Sequence, residues 1–171
     1  MKPIALDAMG GDHAPRVTVE GALLAQSQGI PVVLVGPTDT LKEELHKQGR
    51  DLPIVEAPEY ITMQDHATDV RKKRRASINV CMELVKQKEA SAVVAMGHTG
   101  ATLASALFNL GRIKGVDRPT LLIELPSERG RTYLADGGAH VGCKAEWLVS
   151  FFVLGSGYVE APGGEETSGW V

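Results

Sequence analysis

The chain has 171 residues, 43% hydrophobic and 23% charged, a composition that fits one ordinary globular core. A formal net charge of -3 excludes a surface made broadly basic for nucleic acid, although it leaves room for a local basic patch. Two cysteines without zinc-like spacing, an opening without a signal-peptide core and no apolar run near the roughly 20 residues that span a bilayer together point to the cytoplasm, with membrane contact peripheral at most.

Taken in order, Ile4 to Asp7, Val32 to Val35, Ile54 to Glu56, Ala92 to Met96, Leu121 to Leu125 and Tyr133 to Asp136 read as strands. Helix signals separate them. Thr40 with Glu43 forms a capping-box pattern opening LKEELHKQ, and Ile78, Met82 and Val85 share one apolar face. Lys144 to Ala161 reads as a further helix, loosened by Gly155 and Gly157. Runs such as VVLV and AVVAM are apolar on consecutive residues, as strands covered on both faces require. The expected fold is α/β, a three-layer α/β/α sandwich with a parallel-rich sheet. No linker interrupts residues 1 to 161. The Gly-rich polar stretch Pro162 to Val171 reads as an exposed tail.

In open α/β sheets ligands gather beyond the carboxyl ends of the strands, so the loops after the strands carry the chemistry. In DAMGGDHAP, residues 7 to 15, Gly10 and Gly11 allow close backbone approach or positive φ, with Asp7, Asp12 and His13 bringing polar groups into the same turn. A plain glycine turn capped by Asp12 is equally compatible with these residues. GHTGA, residues 97 to 101, runs directly into a helical segment, so Gly97, Thr99 and Gly100 can hold a phosphate at a helix N-terminus; Thr99 as a simple N-cap is the alternative. The loop lacks the lysine of a Walker A motif and the spacing of GxGxxG. DGGAHVGCK, residues 136 to 144, is a third glycine turn.

Five consecutive basic residues, Arg71 to Arg75, follow the third strand. On a helix Arg71, Arg74 and Arg75 would share a face, either simply solvated or serving as an anion site or a docking patch for an acidic partner. His13, His66, His98 and His140 fall in ligand-side loops without metal-site spacing, no GxSxG elbow is present, and Cys81 lies on an apolar helix face as core; neither a metal nor a cofactor is expected.

These segments, in this order, resemble the PlsX family of phosphate acyltransferases. The resemblance rests on IALDAMGGDHAP at 4 to 15, EAPEYITMQDHATDVRKKRRASI at 56 to 78, VVAMGHTGATLASALFNLGRIKGVDRPTLLIELP at 93 to 126 and LADGGAHVGCKAEWLVSFFVLGSGYVEA at 134 to 161. His98 and His140 stand where that family more often has Asn or Ser, and Asn. The resemblance implies a fold like that of phosphotransacetylase and isocitrate dehydrogenase, of which this chain holds the N-terminal half. It further implies transfer of a fatty acyl group from acyl carrier protein to inorganic phosphate, the acyl phosphate feeding a membrane glycerol-3-phosphate acyltransferase, and a homodimer. On this view Gly10, Gly11, Gly97, Thr99, Gly100, Arg71, Arg75 and Ser77 bind phosphate, while Asp12, His13 and His98 orient groups or handle protons. A coenzyme A-dependent acyltransferase of the same fold, or a non-catalytic module that binds acyl carrier protein, are the competing readings.

Overall fold

The computed structural model describes residues 1–128, 130–140 and 142–160. They fall into two compact units, Met1–Gly111 and the residues from Arg112 onward. The expected tail, residues 162 to 171, lies outside the described residues.

In the first unit, β1 (Ile4–Asp7), β2 (Val32–Gly36), β3 (Ile54–Glu56) and β4 (Ala92–Ala95) form a sheet of order β3-β2-β1-β4 in which every pairing is parallel. Helices α1 (Arg16–Ser27), α2 (Thr38–Lys47) and α3 (Ser77–Lys86) connect the strands, and α4 (Thr99–Asn109) follows β4. The period-two alternation of a strand explains the layers. Leu6, Val32 and Leu34 pack with Val19 and Ala22 of α1 and Leu41 and Leu45 of α2, whereas Ala5, Val33 and Val35 pack with Cys81 and Leu84 of α3. Both faces of β1 and β2 are thus buried, which is why their residues are apolar without interruption. A third apolar cluster joins Val70 to Ile78 and Met82 of α3 and Ala101 of α4. Parallel pairing sends the ends of all four strands, Asp7, Gly36, Glu56 and Ala95, to one side of the sheet.

Two local expectations are corrected here. Helix α2 begins at Thr38, behind Pro37, so Thr40 is not its cap; the Thr38 amide donates instead to Glu56 Oε2 at 2.9 Å. The basic run is not one helical face either. A short 3₁₀ helix, Ala67–Arg71, ends at Arg71, and Arg74 and Arg75 lie in the turn before α3. That turn is fixed by a parallel bridge between Glu59 and Ala76 and by Asn79, whose Nδ2 donates to the carbonyls of Val70 and Lys73.

In the second unit, β5 (Leu122–Ser127) and β6 (Gly130–Ala135) pair antiparallel from Leu122↔Ala135 to Ser127↔Gly130. Both strands were expected near these positions, but they form a separate two-stranded hairpin rather than members of the parallel sheet. Its connection spans two residues, far too short for the crossover that a parallel pair needs. Helix α5 (Ala145–Val159) follows; Tyr158 meets Tyr133 of β6 edge to face at 6.3 Å, and Phe151 is buried against the ring of His140 at 5.5 Å. Among the described residues no helix is long and apolar enough to cross a membrane.

Candidate active site

The two glycine loops that follow β1 and β4, neighbours in the sheet, meet backbone to backbone. A Cβ on Gly97 would stand 3.0 Å from Gly10 Cα and 3.3 Å from Gly11 N, and a Cβ on Gly10 would stand 3.0 Å from Gly97 N. Real Cβ atoms need more room, so this crossing demands glycine on both sides. Gly11 also takes φ +106°, a conformation other residues rarely adopt.

Helix α4 starts immediately beyond the crossing. His98 is its N-cap, with Nδ1 accepting from the Ala101 amide at 3.3 Å, so Thr99 is the first helical residue rather than the cap. An accepting Nδ1 places the ring proton on Nε2. The first amides of a helix have no carbonyl four residues back, which leaves those of Thr99 and Gly100 free inside α4. The amides of Gly11 and Gly97 make no hydrogen bond among the described residues. The arrangement is a group of free backbone donors at the positive end of an 11-residue helix, suited to an oxyanion.

Beneath the crossing lies Asp7, which is buried and accepts from the Met9 amide at 3.3 Å. Burial pushes its carboxyl upward, against the hydrogen bonds from Ser77, Met9 and Gly10 that favour the ionised form. Ser77, the first residue of α3, is completely buried; its Oγ lacks a hydrogen bond of full geometry yet lies near enough to Asp7 to act on its charge. Thr18 of α1 completes the support, with Oγ1 2.7 Å from Ala8 O and 2.8 Å from Pro15 O. Sequence reasoning placed Asp7 among the polar groups of the first loop without giving it a role, and it passed over Thr18. The available signal was an acidic residue closing an otherwise apolar strand, where a side chain is buried by its neighbours.

Asp12 and His13 are exposed on the β1 loop, and Asp12 does not cap α1, whose N-cap is Pro15 without a side-chain bond. Both residues border an apolar cavity of about 450 Å³ that runs from Gly10 and Gly11 between α1 and the sheet, lined by Leu6, Val17, Val94 and Met96 among others. Arg71 and Arg75 engage other groups, although the 3₁₀ helix that leads into the basic run packs against the second loop, a Cβ on Gly100 standing 3.2 Å from Ala67 Cβ. Arg71 lies with its guanidinium 5.2 Å from the centre of the Phe108 ring. Phe108 is eight residues along α4 from Gly100, about 12 Å at 1.5 Å per residue. Lys72 pairs with Asp69 at 2.8 Å, and Lys73 with Asp65 at 2.8 Å. Arg75 donates its amide to Glu59 and acts on Glu56 at the end of β3, the strand farthest from β4. Arg74 and Arg75 are exposed and form no ion pair among the described residues.

The third glycine turn belongs to the second unit. Asp136 accepts from the amides of Leu121 and His140 at 2.9 Å each and lies 3.0 Å from His140 Nδ1. Burial works upward on this carboxyl, but the hydrogen bonds from Leu121 and His140 prevail and hold it below the usual range. Cys81 is buried and burial pushes its thiol far up, so it is core and not a nucleophile. Cys143 is exposed. Among the described residues no three His, Cys, Asp or Glu side chains gather as a metal site would require.

Comparison with known proteins bears on this site. A family described as "Fatty acid synthesis protein" matches residues 2–165. Relatives include proteins named phosphate acyltransferase from Thermus thermophilus, 54% identical over 160 residues, and from Deinococcus radiodurans, 50% identical over 162 residues. The first match covers 94% of this chain and 49% of the relative, the second 92% and 45%. A phosphate acyltransferase from Pelotomaculum thermopropionicum is 50% identical over 161 residues, covering 92% and 47%. The chain spans about half the length of the curated relatives it matches. With its matched region running through both glycine loops and all four parallel strands, the chain belongs to the fatty acid synthesis protein family of PlsX-type phosphate acyltransferases.

Proposed function

We propose that this chain forms the phosphate-binding part of an enzyme that transfers a fatty acyl group from acyl carrier protein to inorganic phosphate. The observation that carries the reading is the backbone crossing of Gly10 and Gly97 at the N-terminus of α4, which gathers free amides where a phosphate oxygen can be held. Gly10, Gly11, Gly97, Thr99 and Gly100 bind and aim the phosphate, and His98 acts through its cap by fixing the start of α4. A phosphate oxygen attacks the thioester carbonyl carbon, the C–S bond breaks, and the thiol leaves with a proton that Asp12 or His13 handles. Holding the nucleophile in place supplies much of the rate gain, because a thioester needs no further activation by a covalent enzyme intermediate. The apolar cavity beside Gly10 and His13 supports a substrate with a hydrocarbon portion. Arg74 and Arg75, exposed and without an ion pair within 4 Å among the described residues, suit an acidic carrier protein. Arg71, committed to Phe108, contributes by ordering that segment. A cytoplasmic homodimer that passes acyl phosphate to a membrane glycerol-3-phosphate acyltransferase completes the proposal.

The test is thioester consumption by the chain with acyl carrier protein and with coenzyme A substrates, with and without phosphate. Phosphate-dependent loss of the carrier-protein thioester, with acyl phosphate as product, is the expected result. Equal loss in phosphate-free buffer means a hydrolase, and preference for coenzyme A means the other acyltransferase class. Carrier-protein binding without turnover identifies a binding module.

A further inference from the structure

Asp7 occupies an unusual position for an acidic residue. It is 6% exposed, and its Oδ2 lies 3.0 Å from the point where a Cβ on Gly10 would sit, itself 3.0 Å from Gly97 N. Little more than one atom's thickness therefore separates the carboxylate from the glycine crossing. The groups that face it are few. Helix α3 presents the Ser77 hydroxyl and the Cys81 thiol, β2 and β4 present Val35 and Ala95, and its own loop presents the amides of Met9 and Gly10. No lysine, arginine or histidine pairs with it among the described residues. A buried carboxylate without a cation is costly, and this one lies directly below the place where an anion would be held.

We propose that Asp7 couples oxyanion binding at the Gly10–Gly97 crossing to the uptake of one proton, which it releases when the anion leaves. Two negative charges this close disfavour joint ionisation, so the arriving oxyanion makes the neutral carboxylic acid the preferred state. Burial already moves Asp7 in that direction before any anion arrives. Ser77 suits both states, because its hydroxyl donates to a carboxylate and accepts from a carboxylic acid. The absence of a fixed partner for Ser77 Oγ agrees with a group that changes role. A proton stored beneath the crossing lets the site accept a multiply charged anion without a nearby cation, which matters because Arg71 and Arg75 are directed elsewhere.

The inference rests on the crossing being an oxyanion site, and calorimetry separates the two claims. Sulfate is the probe, since it does not titrate between pH 4 and 8, and it is titrated into the full chain in buffers of different ionisation heat. The expected result is buffer-dependent heat that reports net proton uptake by the parent, and sulfate binding without uptake by Asp7→Asn. A second variant keeps the carboxylate. Ser77→Ala, which removes a nearby hydroxyl that favours the ionised form, is expected to move the pH of maximal uptake upward. Sulfate binding with the same buffer dependence in parent and Asp7→Asn, or an unmoved profile in Ser77→Ala, overturns the role of Asp7 and leaves the crossing as an anion site. No sulfate or phosphate binding to the parent overturns both.

Discussion

Alanine at position 97 is the most direct challenge to the glycine crossing. Its Cβ would meet three backbone atoms, Gly10 Cα at 3.0 Å, Gly11 N at 3.3 Å and Gly10 C at 3.5 Å. Comfortable carbon contacts begin near about 3.5 Å, so the two loops must part by roughly 0.5 Å, and no flexible side chain is present to yield instead. Overpacking of this kind costs about 1–3 kcal/mol, and each 1–2 kcal/mol lowers the folded-to-unfolded ratio about 5- to 30-fold. The loss of function should exceed the loss of stability, because an amide moved out of line with a bound anion gives up a charge-assisted hydrogen bond of about 1.5–3 kcal/mol. Gly21→Ala serves as the opposite control. Gly21 lies within α1 with nothing within 4 Å of its missing Cβ, so alanine there should stabilise by about 0.5–1 kcal/mol. Urea denaturation and phosphate titration of both variants make the comparison. A Gly97→Ala protein within about 0.5 kcal/mol of the parent, with phosphate affinity intact, would refute the argument from close approach.

Two further substitutions probe the supports of the site. His98→Ala should lose about 0.5–2 kcal/mol by removing the α4 cap, whereas His98→Asn should restore most of it, since Asn caps well; equal losses in thermal melts would show that the ring acts in some other way. Asn79→Ala should cost about 1–3 kcal/mol, because Val70 O loses its side-chain donor and the fully buried Ser105 hydroxyl, 2.6 Å from Asn79 Oδ1, loses its acceptor, while Lys73 O keeps the Ala76 amide and Ser105 Oγ keeps Asn109 Nδ2. An unchanged urea midpoint would mean that water replaces the amide.

The parallel sheet was legible because its signal is local and strong. VVLV is apolar on every residue because β2 is buried on both faces, whereas AVVA, equally apolar, leaves Ala92 and Val94 of β4 exposed, so the expected cover on both faces holds for β2 and not for β4. The glycine loops were equally legible as loops, although their mutual contact was not: Gly10 and Gly97 are far apart in the chain, and only the pairing of β1 with β4 brings them together. The start of α2 was misread for the same reason. Thr40 and Glu43 make a good local pattern, but Pro37 sets the entry and the amide of Thr38 is satisfied by Glu56, 18 residues away. The basic run failed as a helix face because Asn79, Glu59 and the bridge to Ala76 bend its backbone into a turn, a long-range effect that spacing alone does not encode. The hairpin of the second unit was within reach. Too few residues separate Leu125 from Tyr133 for a helical crossover, and that count excludes the parallel arrangement.

The polar anchor at Asn79 has a consequence for how such a protein can change. It grips the basic segment by main-chain carbonyls, at Val70 and Lys73, while the guanidinium groups of Arg74 and Arg75 take no part in holding the turn. Shape and charge are therefore specified by different residues. If the proposed docking role holds, the exposed arginines can be exchanged singly while the turn that carries them keeps its geometry. Substitution at 74 or 75 changes charge and leaves these main-chain bonds in place; substitution at 79 removes them.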